Sequence, residues 1–108
     1  MNIRIKATQI ELTEPLREYI MVRLKGLEKI LVSFEKDREL TLEVEVARTT
    51  RHHHKGDIYY IELTMRLLKN TLRVEHTNED VRVAVDEAKK RMKIEMQRYK
   101  EKTQKKRT

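Results

Sequence analysis

Hydrophobic residues recur along this chain with two periods, and each switch between them marks an element. In "NIRIKATQ" (residues 2–9) Ile3, Ile5 and Ala7 alternate with Asn2, Arg4, Lys6 and Thr8, the period of a strand with one buried face. In "ELTEPLREYIMVRLKGLEKIL" (11–31) the apolar positions Leu16, Ile20, Leu24, Leu27 and Leu31 come every three or four residues, which predicts a single amphipathic helix. Thr13 is placed to cap it, Pro15 falls in the first turn where its missing N–H costs nothing, and Gly26 weakens it only slightly. Alternation returns in "ELTLEVEVART" (39–49), with Leu40, Leu42, Val44 and Val46 inward and Thr41, Glu43, Glu45 and Ala47 outward. It continues in "DIYYIELTMRLLK" (57–69), which sets Tyr59, Ile61, Leu63, Met65 and Leu67 on one face and Tyr60, Glu62, Thr64 and Arg66 on the other. These two strands form a hairpin, and after the turn at Lys69-Asn70 a short fourth strand carries Leu72 and Val74. The last helix is expected to open at "TNED" (77–80), with Thr77 as cap and Asp80 three residues on. Its inward stripe is Val81, Val85, Ala88, Met92, Met96 and Tyr99.

The order β-α-β-β-β-α gives an α+β fold. Every strand has one apolar face and each helix one apolar stripe, so burial is simplest with both helices on the same face of a four-stranded mixed sheet. The helical connection makes the first two strands parallel if they are neighbours, and the rest antiparallel. Residues 1–102 form one domain, and 103–108, "TQKKRT", without an apolar face, are expected to be a basic flexible tail.

Composition narrows the function classes. With 108 residues and 38% apolar content the chain fills one modest core, and the absence of cysteine removes disulfides and Cys-type zinc sites. A cytoplasmic location is expected, because Arg4, Lys6, Glu11 and Glu14 interrupt the run that a signal peptide or membrane span would need. The formal net charge of +7 is unevenly placed: residues 89–108 hold ten Lys/Arg against Glu95 and Glu101, a balance of +8 that leaves −1 for everything before. A nearly neutral body with a basic C-terminal fifth points to a polyanion, with nucleic acid ahead of a membrane surface.

The open face of the sheet carries Arg4, Lys6, Glu43, Glu45, Glu62 and Arg66, with Tyr60 as its exposed aromatic. Such a face neutralises itself and lacks the central aromatics on which base-stacking sheets depend. The last helix is the better candidate. Arg91, Arg98 and Lys102 share one flank and Lys89, Lys93 and Lys100 another, with Lys90 between them and few acidic partners at i±4. Arg23, Lys25 and Lys29 add charge from the first helix, among Glu18 and Glu28. In the hairpin loop "RTTRHHHKGD" (48–57), Arg48, Arg51 and Lys55, with partly protonated His52 and His54, can touch phosphates. His52 and His54 point the same way in an extended segment, but beyond Asp57 no third ligand is in view, so no metal is expected. No nucleophile-base set and no glycine-rich phosphate loop stands out, and His76 reads as a capping or packing residue. The chain reads as a binder, with no enzymatic activity, cofactor, small-molecule substrate or membrane partner. Its alternatives are a stand-alone double-stranded-RNA-binding module and a histidine-loop metalloprotein.

The ordered combination of "MNIRIKATQIELTEPLREYI…RLKGLEK", the strand pair around "HHKGD", and "EDVRVAVDEAKKRMKIEMQRYKEK" resembles the short ribosome hibernation-promoting factors and ribosome-associated translation inhibitors of bacteria, over residues 1 to about 102. The resemblance implies a fold similar to double-stranded-RNA-binding domains. It also implies binding to small-subunit rRNA in the mRNA channel near the A and P sites, where the protein would block translation by excluding mRNA, tRNA and initiation factors in stress or stationary phase. A second hibernation factor is a further partner that it admits. Arg23, Lys29, Arg91 and Arg98 stand where that family is typically basic, whereas Ile94 and Gln97 stand where relatives often carry cations, and Arg82 replaces a common aromatic. The dimerisation domain of the long forms has no counterpart here, so ribosome pairing by that route is not expected.

Overall fold

Seven elements are present among residues 1–31, 39–49 and 56–105, which the computed structural model describes. They are β1 (Asn2–Thr8), α1 (Glu14–Lys25), α2 (Glu28–Leu31), β2 (Thr41–Thr49), β3 (Ile58–Arg66), β4 (Thr71–Asn78) and α3 (Val81–Lys105). The strands lie in the order β1-β2-β3-β4, with β1 parallel to β2 and the other two pairings antiparallel. Register lines up the alternating apolar positions into rows across the sheet, Ile3-Leu42-Met65-Leu72 and Ile5-Val44-Leu63-Val74. A shift of one residue would turn each row to solvent, so burial of this face holds the pairing in place.

Both long helices cover that face: α3 packs on β3 and β4, and α1 packs beside α3. Ile20, Leu24, Leu27, Met92 and Met96 are fully buried between helices and sheet, each contributing ~1.5–3 kcal/mol relative to exposure. The edge strand β1 is covered less, so Ile3 and Ile5 are half-buried and Ala7, expected inward, is exposed. Gly56 enters β3 with φ +115°, a left-handed conformation that a glycine adopts without a Cβ penalty.

Three expected boundaries shift. The first helix is not continuous: α1 ends at Lys25, and i→i−3 bonds from Leu27 N to Leu24 O (3.0 Å) and Ile30 N to Leu27 O (3.2 Å) tighten the chain before α2. The tighter turn keeps Leu27 inside, so the apolar stripe survives the break. The cap of α3 is Asp80, not Thr77; its Oδ1 accepts from Arg82 N (2.9 Å) and Val83 N (3.3 Å), while Thr77 pairs with Tyr60 inside the sheet. The helix then runs to Lys105, so residues 103–105 of the expected tail are helical, and 106–108 lie outside the described residues.

Candidate nucleic-acid interface

The 25 residues of α3 rise over roughly 37 Å, at about 1.5 Å each. Its buried stripe contains Ala84 beside the expected Val85, Ala88, Met92, Met96 and Tyr99. At 3.6 residues per turn the two cation rows fall on opposite flanks of that stripe, roughly half a turn apart. Each flank faces a different neighbour.

On the first flank α3 meets α1. A groove of about 490 Å³ is lined by Arg23 from α1 and by Val83, Asp86, Glu87, Lys89, Lys90 and Lys93 from α3. A half-exposed network of Tyr19, Arg23 and Asp86 lies at one end of it. The Tyr19 hydroxyl donates to Asp86 Oδ1 (2.9 Å) and Oδ2 (2.8 Å), and Arg23 Nε stands 3.7 Å from Asp86. The guanidiniums of Arg23 and Arg82 lie 4.9 and 5.2 Å from the centre of the Tyr19 ring, within cation-π range. Burial, then the Asp86 hydrogen bond, pushes the Tyr19 hydroxyl above its usual pKa, so it stays a donor. At the other end a Cβ on Gly26 would lie 3.1 Å from Lys89 Nζ, so the glycine leaves room for that ammonium over the last turn of α1.

On the second flank α3 meets the edge strand β4. A groove of about 460 Å³ is lined by Arg73 and Glu75 from β4 and by Arg91, Ile94, Glu95 and Arg98 from α3. Arg91 Nη1 donates to the backbone carbonyl of Glu75 at 3.2 Å. Ile94 is 49% exposed in the middle of these arginines.

The expected cations among the described residues are therefore on the surface, but not all in one place. Lys25 at the end of α1, Lys29 on α2 and Lys102 are exposed and stand outside both grooves. Arg48 reaches Asp57 at 3.8 Å across the mouth of the β2-β3 hairpin, and Arg51, His52, His54 and Lys55 lie outside the described residues. Other cations also have acidic neighbours that a count at i±4 leaves out, among them Lys90 with Glu87 and Arg98 with Glu95, both i,i+3 at 3.4 Å, and Arg23 with Asp86 across the helices. These pairs are solvent-exposed, with Lys90 at 73% and Arg98 at 68%, and pairs of this kind contribute only ~0.3–0.5 kcal/mol. A phosphate displaces them at little cost.

Sequence reading passes over Tyr19, Arg73 and Asp86, and singles out Arg82 only as a departure from the family pattern. Arg73 occupies an ordinary outward position of β4, where it pairs with Glu62, and it borders the α3 groove only because β4 is an edge strand. The open face of the sheet behaves as expected, with Arg66 on Glu43 (2.5 Å) and Arg73 on Glu62 (2.8 Å). Among the described residues no group of three or more His, Cys, Asp or Glu gathers to hold a metal, and no helix is long and apolar enough to cross a membrane.

The family model described as Sigma 54 modulation protein / S30EA ribosomal protein matches residues 3–104. The fold is similar to the crystal structure of the Thermus thermophilus Protein Y N-terminal domain, with a TM-score of 0.73 and 24% identity over 92% of this chain and 99% of that one. It is also similar to a ribosomal subunit interface protein from Coxiella burnetii, with a TM-score of 0.70 and 16% identity over 93% of this chain and 98% of that one. No curated protein matches the chain.

Proposed function

Because the chain belongs to the Sigma 54 modulation protein / S30EA ribosomal protein family, we propose that it is a ribosome hibernation factor acting in the cytoplasm on the small ribosomal subunit. In this reading the cations of α1, α2 and α3 meet rRNA phosphates in the mRNA/tRNA channel near the A and P sites. The protein then blocks translation by occupying that space during stress or stationary phase. No bond is made or broken, so no catalytic group is needed; a folded domain in the channel competes with mRNA, tRNA and initiation factors by volume alone. The observation that carries the reading is α3, whose cations line a groove on each flank, with the pairs of Lys90 to Glu87 and Arg98 to Glu95 exposed and weak. Neutralising phosphates with such side chains releases condensed counterions, which supplies affinity without base readout and makes it steeply salt-dependent.

Co-sedimentation with purified small subunits over a series of salt concentrations tests this. The protein is expected to travel with the subunit and to lower the yield of a cell-free translation reaction. Lys89→Glu with Lys93→Glu, in the α1-α3 groove, is expected to weaken binding and to flatten the plot of log affinity against log salt by roughly one unit for each phosphate no longer neutralised. Protein that stays at the top of the gradient while binding plain duplex RNA would instead identify a double-stranded-RNA-binding module acting away from the ribosome.

A further inference from the structure

The two edges of the sheet are protected unequally. At β4, α3 packs above the strand and Arg91 already holds the Glu75 carbonyl. At β1 the cover stops short, leaving Ile3 and Ile5 half-buried and Ala7 exposed. The amide of Asn2 points into the sheet, donating to Leu40 O just ahead of β2 (2.7 Å). By strand alternation the backbone N–H and C=O groups of Ile3, Ile5 and Ala7 therefore point outward from the edge, and among the described residues nothing meets them there. An open edge of this kind is a template for another strand. We infer that β1 takes up one further strand from a partner protein, an extended segment in which apolar and acidic residues alternate.

The two faces of β1 set the chemistry of that segment. Toward the helices, Ile3 and Ile5 offer apolar surface that only every second residue of the newcomer can cover. On the open face Arg4 and Lys6 have no ion pair among the described residues, although register puts Glu43 and Glu45 beside them. Glu43 holds Arg66 instead (2.5 Å), and Glu45 accepts from the Thr8 hydroxyl (3.2 Å). The chain contains its own example of the fitting pattern. β2 meets the inner side of β1 with Leu42 and Val44 beside Ile3 and Ile5, and with Glu43 and Glu45 beside Arg4 and Lys6. A strand of the same alternation repeats that pairing on the outer side and supplies the carboxylates that β2 has given elsewhere. A second copy of β1 fits badly, because its cations would face these, and edge cations commonly guard against self-pairing. β1 lines neither groove of α3, so the site stands apart from the rRNA reading and leaves the helices free for the subunit.

A labelled synthetic peptide with the β2 sequence ELTLEVEVA (residues 39–47) and blocked termini is the probe, used with the whole chain. It is expected to bind, and to slow hydrogen exchange at the amides of Ile3, Ile5 and Ala7, which charge attraction alone would not do. The same residues in scrambled order keep the charge and lose the alternation, and are expected to bind about tenfold more weakly. Arg4→Glu with Lys6→Glu, both exposed positions, is expected to weaken the ordered peptide about tenfold. A peptide with lysine in place of each glutamate is expected to regain that loss on the doubly substituted chain. Equal binding of ordered and scrambled peptides, unchanged exchange at the three amides, or indifference to the charge reversal would overturn the strand site. Displacement of the peptide by plain duplex RNA would assign this edge to RNA and overturn it as well.

Discussion

Glu62 has the least comfortable position on the open face. Register sets it directly opposite Glu45 on β2 and Glu75 on β4, three carboxylates in one row, where like charges across strands destabilise. The Tyr60 hydroxyl compensates by sharing its proton between Glu62 Oε2 (2.5 Å) and Glu75 Oε2 (2.7 Å), and Arg73 closes on Glu62 at 2.8 Å. The Tyr60 hydrogen bond, and after it the Arg73 hydrogen bond, holds the Glu62 carboxyl below its usual range. Burial, then the two acceptors, pushes the Tyr60 hydroxyl far above the usual tyrosine range, so it does not titrate as the carboxylates do. A carboxylate with a folded pKa below its ordinary 4.5 contributes stability that is complete above that pH and is lost as pH falls through the folded value. Urea unfolding of Glu62→Gln is therefore expected to show a shallower loss of stability below about pH 4.5 than the unaltered protein; superimposable acid limbs would remove Glu62 as a source of acid sensitivity. Alternation in the sequence places Tyr60 and Glu62 on the same face, but the row of three glutamates depends on register, which the pattern along one strand does not contain.

At the scale of elements, the type of each is legible in the sequence and its ends are not. The stripes of α1 and α3 are buried where periodicity puts them, because a 3.6-residue repeat of large apolar side chains leaves one face to bury. Ends depend on single hydrogen bonds. Thr77 and Asp80 both have capping chemistry, and the extension of β4 to Asn78 leaves Asp80 as the residue that meets the free N–H groups of α3. Asp80→Ala is expected to cost ~0.5–2 kcal/mol in chemical denaturation, against a much smaller change for Thr77→Ala, whose side chain is exposed on the sheet. Equal losses would return the cap to Thr77. The break after α1 escapes periodicity for a similar reason: Gly26 adopts an ordinary helical conformation, φ −60° and ψ −19°, and the helix gives way to i→i−3 bonding around it.

At the scale of the molecule, one core holds both grooves in place. Met92 is fully buried in the stripe of α3 that joins the α1 side to the β4 side, and its neighbours on the helix, Arg91 and Lys93, point to opposite grooves. Met92→Ala is expected to cost ~2–5 kcal/mol, a large share of the ~5–15 kcal/mol typical of a domain, and to lower the thermal midpoint while the surface charge is unchanged. A midpoint within a degree of the unaltered protein would contradict that packing. The charge asymmetry follows from the same arrangement. The sheet face balances its charges across strands, and the helical layer does not, so the field of the molecule is concentrated on one side.

Period and composition are local properties, and by themselves they determined the type of the main elements, most residues of the core and the excess of cations along α3, while the parallel start of the sheet followed only once the first two strands proved to be neighbours. They also carried the family resemblance that the match over residues 3–104 bears out. Tertiary structure decided which cations share a groove. Arg91 meets the backbone of Glu75, and Arg23 meets Lys89, only because β4 is an edge strand under α3 and α1 packs on the opposite flank. Those meetings join groups far apart along the chain, and their geometry is set by how the helices sit on the sheet, which no stretch of sequence contains.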